Sequence, residues 1–278
     1  MDVSTVVTLR ALGTDVDVHV SGHEAEQLAG TIRERWHLAL RGSRRSDAPQ
    51  GEPPRIVRAA LVGPGETPPP WSRAEPVVQD ADPARLLQRL TQSITYEVIG
   101  ARTGDLLMLH AAGLADPETG ATAVFVAPGN TGKTTLCRTL GPTRAYVSDE
   151  TVGIRRDGTI APYLKPLSTR RADWADVKDE QAPGAVGLRA PVATPWVAGI
   201  VLLRRDAALA DGPEVEELDL LDAVLELTPE SSGFMGTDGP LRWLADVLEG
   251  TGGARRAVYA EVSALEPLVA EICGRERS

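Results

Sequence analysis

The stretch Ala127-Pro128-Gly129-Asn130-Thr131-Gly132-Lys133-Thr134-Thr135 holds the densest chemistry in the chain. It fits the looser form of the Walker A phosphate-binding pattern, with alanine where the strict pattern has its first glycine. Such a loop works because successive backbone N–H groups and a helix N-terminus present partial positive charge to phosphate oxygens. Lys133 adds a full charge, and the hydroxyl of Thr134 is placed to meet Mg²⁺. Asn130 suits a tight turn, since asparagine tolerates positive φ best after glycine. Composition sharpens the signal. Lysine occurs only at Lys133, Lys165 and Lys178, and Asn130 is the sole asparagine. Gly129, Asn130, Thr131, Gly132, Lys133, Thr134 and Thr135 are therefore the expected nucleotide-binding residues, with Lys133 expected to face solvent.

The elements that must position this loop are legible around it. An apolar run, Ala121 to Ala127, leads in, and a short helical run from Thr134 to Leu140 follows until Gly141-Pro142 stops it. Next, Arg144 to Val147 reads as a strand that ends in two acids, Asp149 and Glu150, sixteen positions after Lys133. ABC and AAA-type ATPases insert a longer segment at this point, and the chain has no Leu-Ser-Gly-Gly-Gln signature. The absence of any second asparagine excludes GTPases that read guanine with Asn-Lys-x-Asp, and protein kinases whose catalytic loop holds metal through asparagine.

Further out, alternation predicts strands over Val3 to Leu9 and Asp15 to Val20, then a helix opened by a Ser21/Glu24 capping box with Leu28, Ile32, Trp36 and Leu40 on one face. His19, His23 and His37 there read as structural. Proline-rich loops at Gly42 to Pro54 and Gly63 to Arg73 flank a strand from Ile56 to Leu61. Asp82-Pro83 starts a helix with Leu86, Leu87, Leu90, Ile94 and Val98 as its buried stripe, ending near Gly104. A strand from Leu106 to Leu114 joins Ala121 to Ala127 through a hairpin loop at Asp116 to Gly120. Later strands are expected at Val152 to Ile160, Trp196 to Leu203 and Arg256 to Val262, and helices at Leu218 to Leu227, Pro240 to Leu248 and after Ser263. The domain reading is a small α/β unit at residues 1–82 and a larger nucleotide-binding domain at 83–278.

Charge and cysteine content narrow the function classes. A net charge of −10 opposes non-specific attraction to nucleic acid or anionic membrane. Two cysteines, Cys137 and Cys273, fit a reducing, cytoplasmic setting rather than a disulfide scaffold. No apolar run approaches the roughly 18 residues needed to span a bilayer.

The order of motifs resembles the HPr kinase/phosphorylase group and its diverged relatives, which share a nucleotide fold with phosphoenolpyruvate carboxykinase. The matching features are Leu107-Met-Leu-His110-Ala-Ala112, the Walker A loop, the Asp149-Glu150 pair, and Tyr163-Leu-Lys165-Pro166-Leu167. The resemblance implies an α/β fold, a P-loop core of the HPr kinase/PEP carboxykinase type with a small N-terminal α/β domain. It implies a kinase that uses ATP and Mg²⁺ to phosphorylate a serine-type hydroxyl of a peptide, protein or small molecule. Asp149 takes the place of the general base and Glu150 that of the metal-linked second acid, so Thr134, Asp149 and Glu150 form the implied metal set. Relatives in clusters for ribosomally made peptides such as lasso peptides phosphorylate a serine of the precursor. Glu150 in place of aspartate, Asn130 in place of glycine, and the missing glycine-rich signature point to a specialised relative rather than a regulator of sugar uptake.

His110 is expected at a strand end, where it hydrogen-bonds Asp149 or a phosphate or is simply satisfied. Lys165 reads equally as a phosphate or substrate contact and as a solvated hairpin charge. Acceptor recognition falls to residues 1–82 and to the polar segment Arg170 to Pro191, read as a surface loop or lid. Two alternatives stay open: a nucleotide-binding partner protein without phosphotransfer, and a simple ATPase. Homo-oligomerisation is left open as well.

Overall fold

The computed structural model describes residues 5–41, 52–66, 77–170 and 177–277. Val3, most of the loops expected at Gly42 to Pro54 and Gly63 to Arg73, and residues 171–176 lie outside them. The chain forms two units, one comprising Met1–Ala101 with Leu164–Ala185 and the other Arg102–Tyr163 with Val186–Ser278. The first unit opens with β1 (Thr5–Ala11), β2 (Thr14–Gly22), α1 (Ala25–Arg35), β3 (Arg55–Leu61), β4 (Val77–Asp80) and α2 (Pro83–Arg102). The second contributes β5 (Leu107–Leu109), β6 (Ala111–Ala115), β7 (Ala121–Val126), α3 (Lys133–Leu140), β8 (Ala145–Ser148), β9 (Val152–Ile154) and β10 (Ile160–Ala161). The chain returns to the first unit for β11 (Leu167–Arg170) and β12 (Lys178–Gln181). It ends in the second with β13 (Trp196–Arg205), β14 (Glu214–Leu218), α4 (Leu220–Leu227), β15 (Ser231–Ser232), α5 (Pro240–Gly250), β16 (Ala254–Tyr259) and α6 (Glu266–Cys273). The fold is thus mixed α/β, with several sheets and six α-helices among the described residues. No described helix is long and apolar enough to cross a membrane.

In the first unit, β1 to β4 form one sheet in sequence order, with β1 antiparallel to β2 and the other pairs parallel. The hairpin turn uses Leu12 and Gly13, both at positive φ, which matches the twist of the flanking strands. Val16, Val18 and Val20 are buried while Asp15, Asp17 and His19 alternate toward the other face. The expected capping box does not form. Ser21 is still paired within β2, and Glu24 takes the N-cap position in left-handed geometry without a side-chain cap. Leu28 and Ile32 are buried as expected, but the helix ends at Arg35 and Leu40 lies beyond it, 38% exposed.

Helix α2 starts as its sequence predicts, with Asp82 Oδ1 accepting from the N–H of Ala84 at 2.8 Å and of Arg85 at 2.9 Å. The unit boundary does not fall before it, as the sequence suggested, but after Ala101. The cause is a set of polar ties: Arg89 donates to the Gln79 carbonyl, Gln88 accepts from the Lys178 N–H, and Thr91 donates to the buried Glu180 carboxylate. The polar segment from Arg170 is likewise partly ordered strand, since β12 pairs antiparallel with β11.

The second unit holds a six-stranded sheet in the order β14-β16-β13-β7-β6-β8. β7, β13 and β16 run parallel, and β6 and β14 run against them. β8 pairs antiparallel with β6, so it points the same way as β7 but is separated from it by one strand. The run Leu106 to Leu114, read as one strand, is two: it breaks at His110 between β5, in a second sheet of order β10-β9-β5-β15, and β6. The N–H groups of His110 and Ala111 leave the ladder to bond the Glu230 and Glu150 carbonyls, which forces the crossing between sheets. The β6–β7 hairpin forms at the expected loop, closed by Asp116 Oδ1 accepting from Glu118 and Thr119.

Gly120 closes that hairpin at φ 77, and a Cβ there would lie 2.2 Å from the Thr194 carbonyl oxygen. Gly158 has a similar φ of 78 with open space around it. Gly158→Ala is expected to cost about 1–2 kcal/mol from its dihedral alone, and Gly120→Ala distinctly more, because backbone must move as well. Urea denaturation of both variants checks the order.

Candidate functional site

The C-terminal ends of the parallel strands β7, β13 and β16, together with that of β8, lie on one edge of the sheet, the usual place for ligand chemistry in α/β sheets. From β7 the chain turns through residues 127–132 into α3. Asn130 and Gly132 take φ of 67 and 101, which explains the asparagine and the glycine in physical terms. Thr131 pins the turn by donating its hydroxyl to the Pro128 carbonyl at 2.8 Å. Tyr259, the last residue of β16, donates its hydroxyl to the Thr131 carbonyl at 2.9 Å and so ties the loop to another strand. Burial pushes that phenol's pKa up, which keeps it a donor.

Lys133 departs from expectation. Rather than facing solvent, it is only 6% exposed and turns back on its own loop, where Nζ donates to the carbonyls of Ala127 and Pro128. Burial lowers its pKa to about 8, against the opposing pull of the Glu230, Asp149 and Glu150 carboxylates.

Asp149 follows the last residue of β8 and is 4% exposed. Both its oxygens have donors: Thr134 Oγ1 at 2.7 Å to Oδ2 and Tyr146 Oη at 3.0 Å to Oδ1. Tyr146 is fully buried, and desolvation followed by the Asp149 charge holds its hydroxyl well above the usual tyrosine range. Ser148 fixes the turn out of the strand by accepting from the N–H of Glu150 and Thr151. Glu150 is half-buried, and its carbonyl holds the start of β6 through the Ala111 N–H.

His110 stands at the break between β5 and β6. Its ring partner is Glu230, with Nδ1 and Oε2 3.1 Å apart, and its backbone N–H donates to the Glu230 carbonyl at 2.7 Å. Asp149, the partner the sequence suggested, is not the one the ring takes. Glu230 ends the 3₁₀ turn Thr228–Glu230, and the chain then pairs β15 with β5. Lys165 belongs to the first unit, is 1% exposed, and donates to the Pro166 carbonyl. It is a buried group and not a solvated hairpin charge.

The second unit therefore gathers Lys133, Thr134, Asp149 and Glu150 with the loop, and clamps His110 through a residue the sequence did not flag. Glu230, Tyr146 and Tyr259 were missed because each acts through a partner; Glu230 lies 120 positions from its histidine. Only the tyrosine inside the strand that leads to the acids offered a local clue. Among the described residues no cluster of three His, Cys, Asp or Glu side chains encloses a metal. The Thr134 hydroxyl beside the Asp149 carboxylate is nonetheless a hard oxygen pair, which suits Mg²⁺, an ion held by one or two protein oxygens with phosphates and water completing the shell.

No protein-family model matches the chain, and no curated protein matches it. Among solved structures it is similar to the Hpr(Ser) kinase/phosphatase from Coxiella burnetii, at 12% identity and a TM-score of 0.31, over 59% of this chain and 92% of that chain.

The lowered lysine pKa sets a pH dependence. Between about 8 and the ordinary 10.5 the unfolded chain holds the proton that folded Lys133 has released, so this residue makes stability rise with pH across that window. Binding of an anion runs the other way, since it needs the ammonium. Affinity for sulfate, an anion whose own charge is constant over this range, is expected to be flat below about pH 7 and to fall as pH rises through about 8. Lys133→Arg should remove the fall, because a guanidinium stays protonated, and Glu230→Gln should move it to lower pH. Calorimetric titrations at several pH values measure all three.

Proposed function

We propose that the chain is an ATP-dependent kinase that transfers the γ-phosphoryl group to a serine- or threonine-type hydroxyl of a peptide, protein or small metabolite. The observation that carries this reading is the 2.7 Å hydrogen bond from Thr134 Oγ1 to Asp149 Oδ2. It joins the residue after the loop lysine to a buried carboxylate that follows a separate strand, and so sets side by side the parts phosphoryl transfer requires: a metal-binding hydroxyl at the loop and a carboxylate. The motif order shared with the HPr kinase group supports the same reaction.

In this reading Gly129 to Thr135 bind the phosphates through backbone N–H groups, and Lys133 exchanges its loop carbonyls for phosphate oxygens. Thr134, Asp149 and Glu150 would hold Mg²⁺, which when bound neutralises charge on the phosphates. Asp149 accepts the proton of the acceptor hydroxyl while its oxygen bonds to the γ-phosphorus, and the bond from that phosphorus to the bridging oxygen breaks to release ADP. Tyr146 keeps the carboxylate oriented through Oδ1 during this transfer. Glu230 holds Nδ1 of His110 and so fixes the ring, which leaves Nε2 as the nitrogen to bond a phosphate oxygen. The first unit, which carries no loop of this kind among its described residues, takes the acceptor. Two buried cysteines outside any disulfide and the acidic balance suit a cytoplasmic enzyme.

Candidate acceptors incubated with ATP and read by mass spectrometry test the reaction; ATP consumption without a phosphorylated product would make the chain an ATPase. Asp149→Asn keeps the shape and the Tyr146 bond but removes the proton acceptor, so single-turnover phosphotransfer should fall by about 10²–10⁴ while ATP affinity changes far less. Transfer at the wild-type rate would refute the base assignment, and loss of ATP binding would make Asp149 chiefly a metal ligand. Lys133→Ala should remove nearly all nucleotide-dependent activity, measured with the folded state monitored by circular dichroism.

A further inference from the structure

A recess of about 160 Å³ opens beside the loop in the second unit, between the outer face of α3 and the segment from Tyr259 to Ser263. We propose that it seats the nucleoside end of the bound nucleotide, with the Arg205 guanidinium stacked on the base. This rests on the phosphate-loop reading and extends it to the part of the ligand that no motif addressed.

Direction along the loop is the first argument. The recess begins at Thr131 and Gly132 and continues along Thr135 and Thr139. These two threonines are four positions apart and share one face of α3. Thr134, which holds Asp149, is turned about 100° away from Thr135 on the same helix. A nucleotide threaded through the loop therefore has its reacting end at Thr134 and Asp149, and its other end directed along Thr135 and Thr139 into the recess.

The lining is the second argument. Tyr259 makes a rigid floor, because its ring is buried and its hydroxyl is fixed to the Thr131 carbonyl. Arg205, at the end of β13, is anchored by Nε donating to the Ala260 carbonyl at 3.2 Å, while its head stays half-exposed 3.9 Å from Glu261. A planar guanidinium held by one nitrogen at a rim offers its face to an aromatic base. The threonine hydroxyls and the Glu261 carboxylate can meet the ribose hydroxyls. The volume lies below the roughly 300–1,000 Å³ of sites that enclose a whole drug-sized ligand, so the base keeps one face toward solvent.

The test uses the full chain with Mg²⁺ and two probes, ATP and inorganic tripolyphosphate, titrated by calorimetry. Wild-type protein should bind ATP more tightly than tripolyphosphate. Thr139→Phe, which fills the recess from an exposed helix position, and Arg205→Ala, which removes the stacking wall, should each weaken ATP by about tenfold or more while leaving tripolyphosphate within about twofold. Unchanged ATP affinity in both variants, or equal loss of both probes, overturns the nucleoside site. So does wild-type protein that binds tripolyphosphate but ATP no more tightly. Wild-type protein that binds neither probe overturns the phosphate-loop reading and this site with it.

Discussion

The hydrogen bond between Thr134 and Asp149 is the contact on which the rest of the second unit converges. Its two ends are reached from β7, through the loop into α3, and from β8, and those strands are not neighbours: β6 lies between them, so the strand axes are two ladder spacings, about 9.5 Å, apart. Closing that gap takes a loop that lifts the start of α3 off the sheet, a turn at Ser148 that lifts the carboxylate, and a buried tyrosine that holds it there. Each is a local feature with a local cause, and together they place one hydroxyl against one carboxylate.

The same geometry explains which parts were legible in the sequence. The loop was, because the phosphate-binding pattern calls for residue types that are scarce in this chain, a lysine and the only asparagine. The acids were, because they end an apolar run. The β6–β7 hairpin and the start of α2 were, because Asp116 and Asp82 cap their own backbone within three positions. What escaped was decided by distant chain. The break at His110 depends on carbonyls from Glu150 and Glu230. The unit boundary after Ala101 depends on bonds from α2 to β12. The capping box failed because β2 ran through Ser21 to pair with β3, an outcome no local pattern encodes.

Lys133, assigned to phosphate in the proposed reaction, is a structural group as it stands. Folded onto the Ala127 and Pro128 carbonyls, it satisfies acceptors that the tight turn strands and fills space under the loop. Three carboxylates offset part of the cost of burying its charge. The loop is thus braced from within by its own lysine.

The passage from β5 to β6 through the single residue His110 has a consequence for how this protein tolerates change in length. Two consecutive strands in different sheets leave no slack between Leu109 and Ala111. One inserted residue would slip β6 against β7 and β8 at once and turn its side chains to the wrong face. Insertions and deletions can accumulate at the hairpin tips of this unit, but at its seam the chain length is set to one residue.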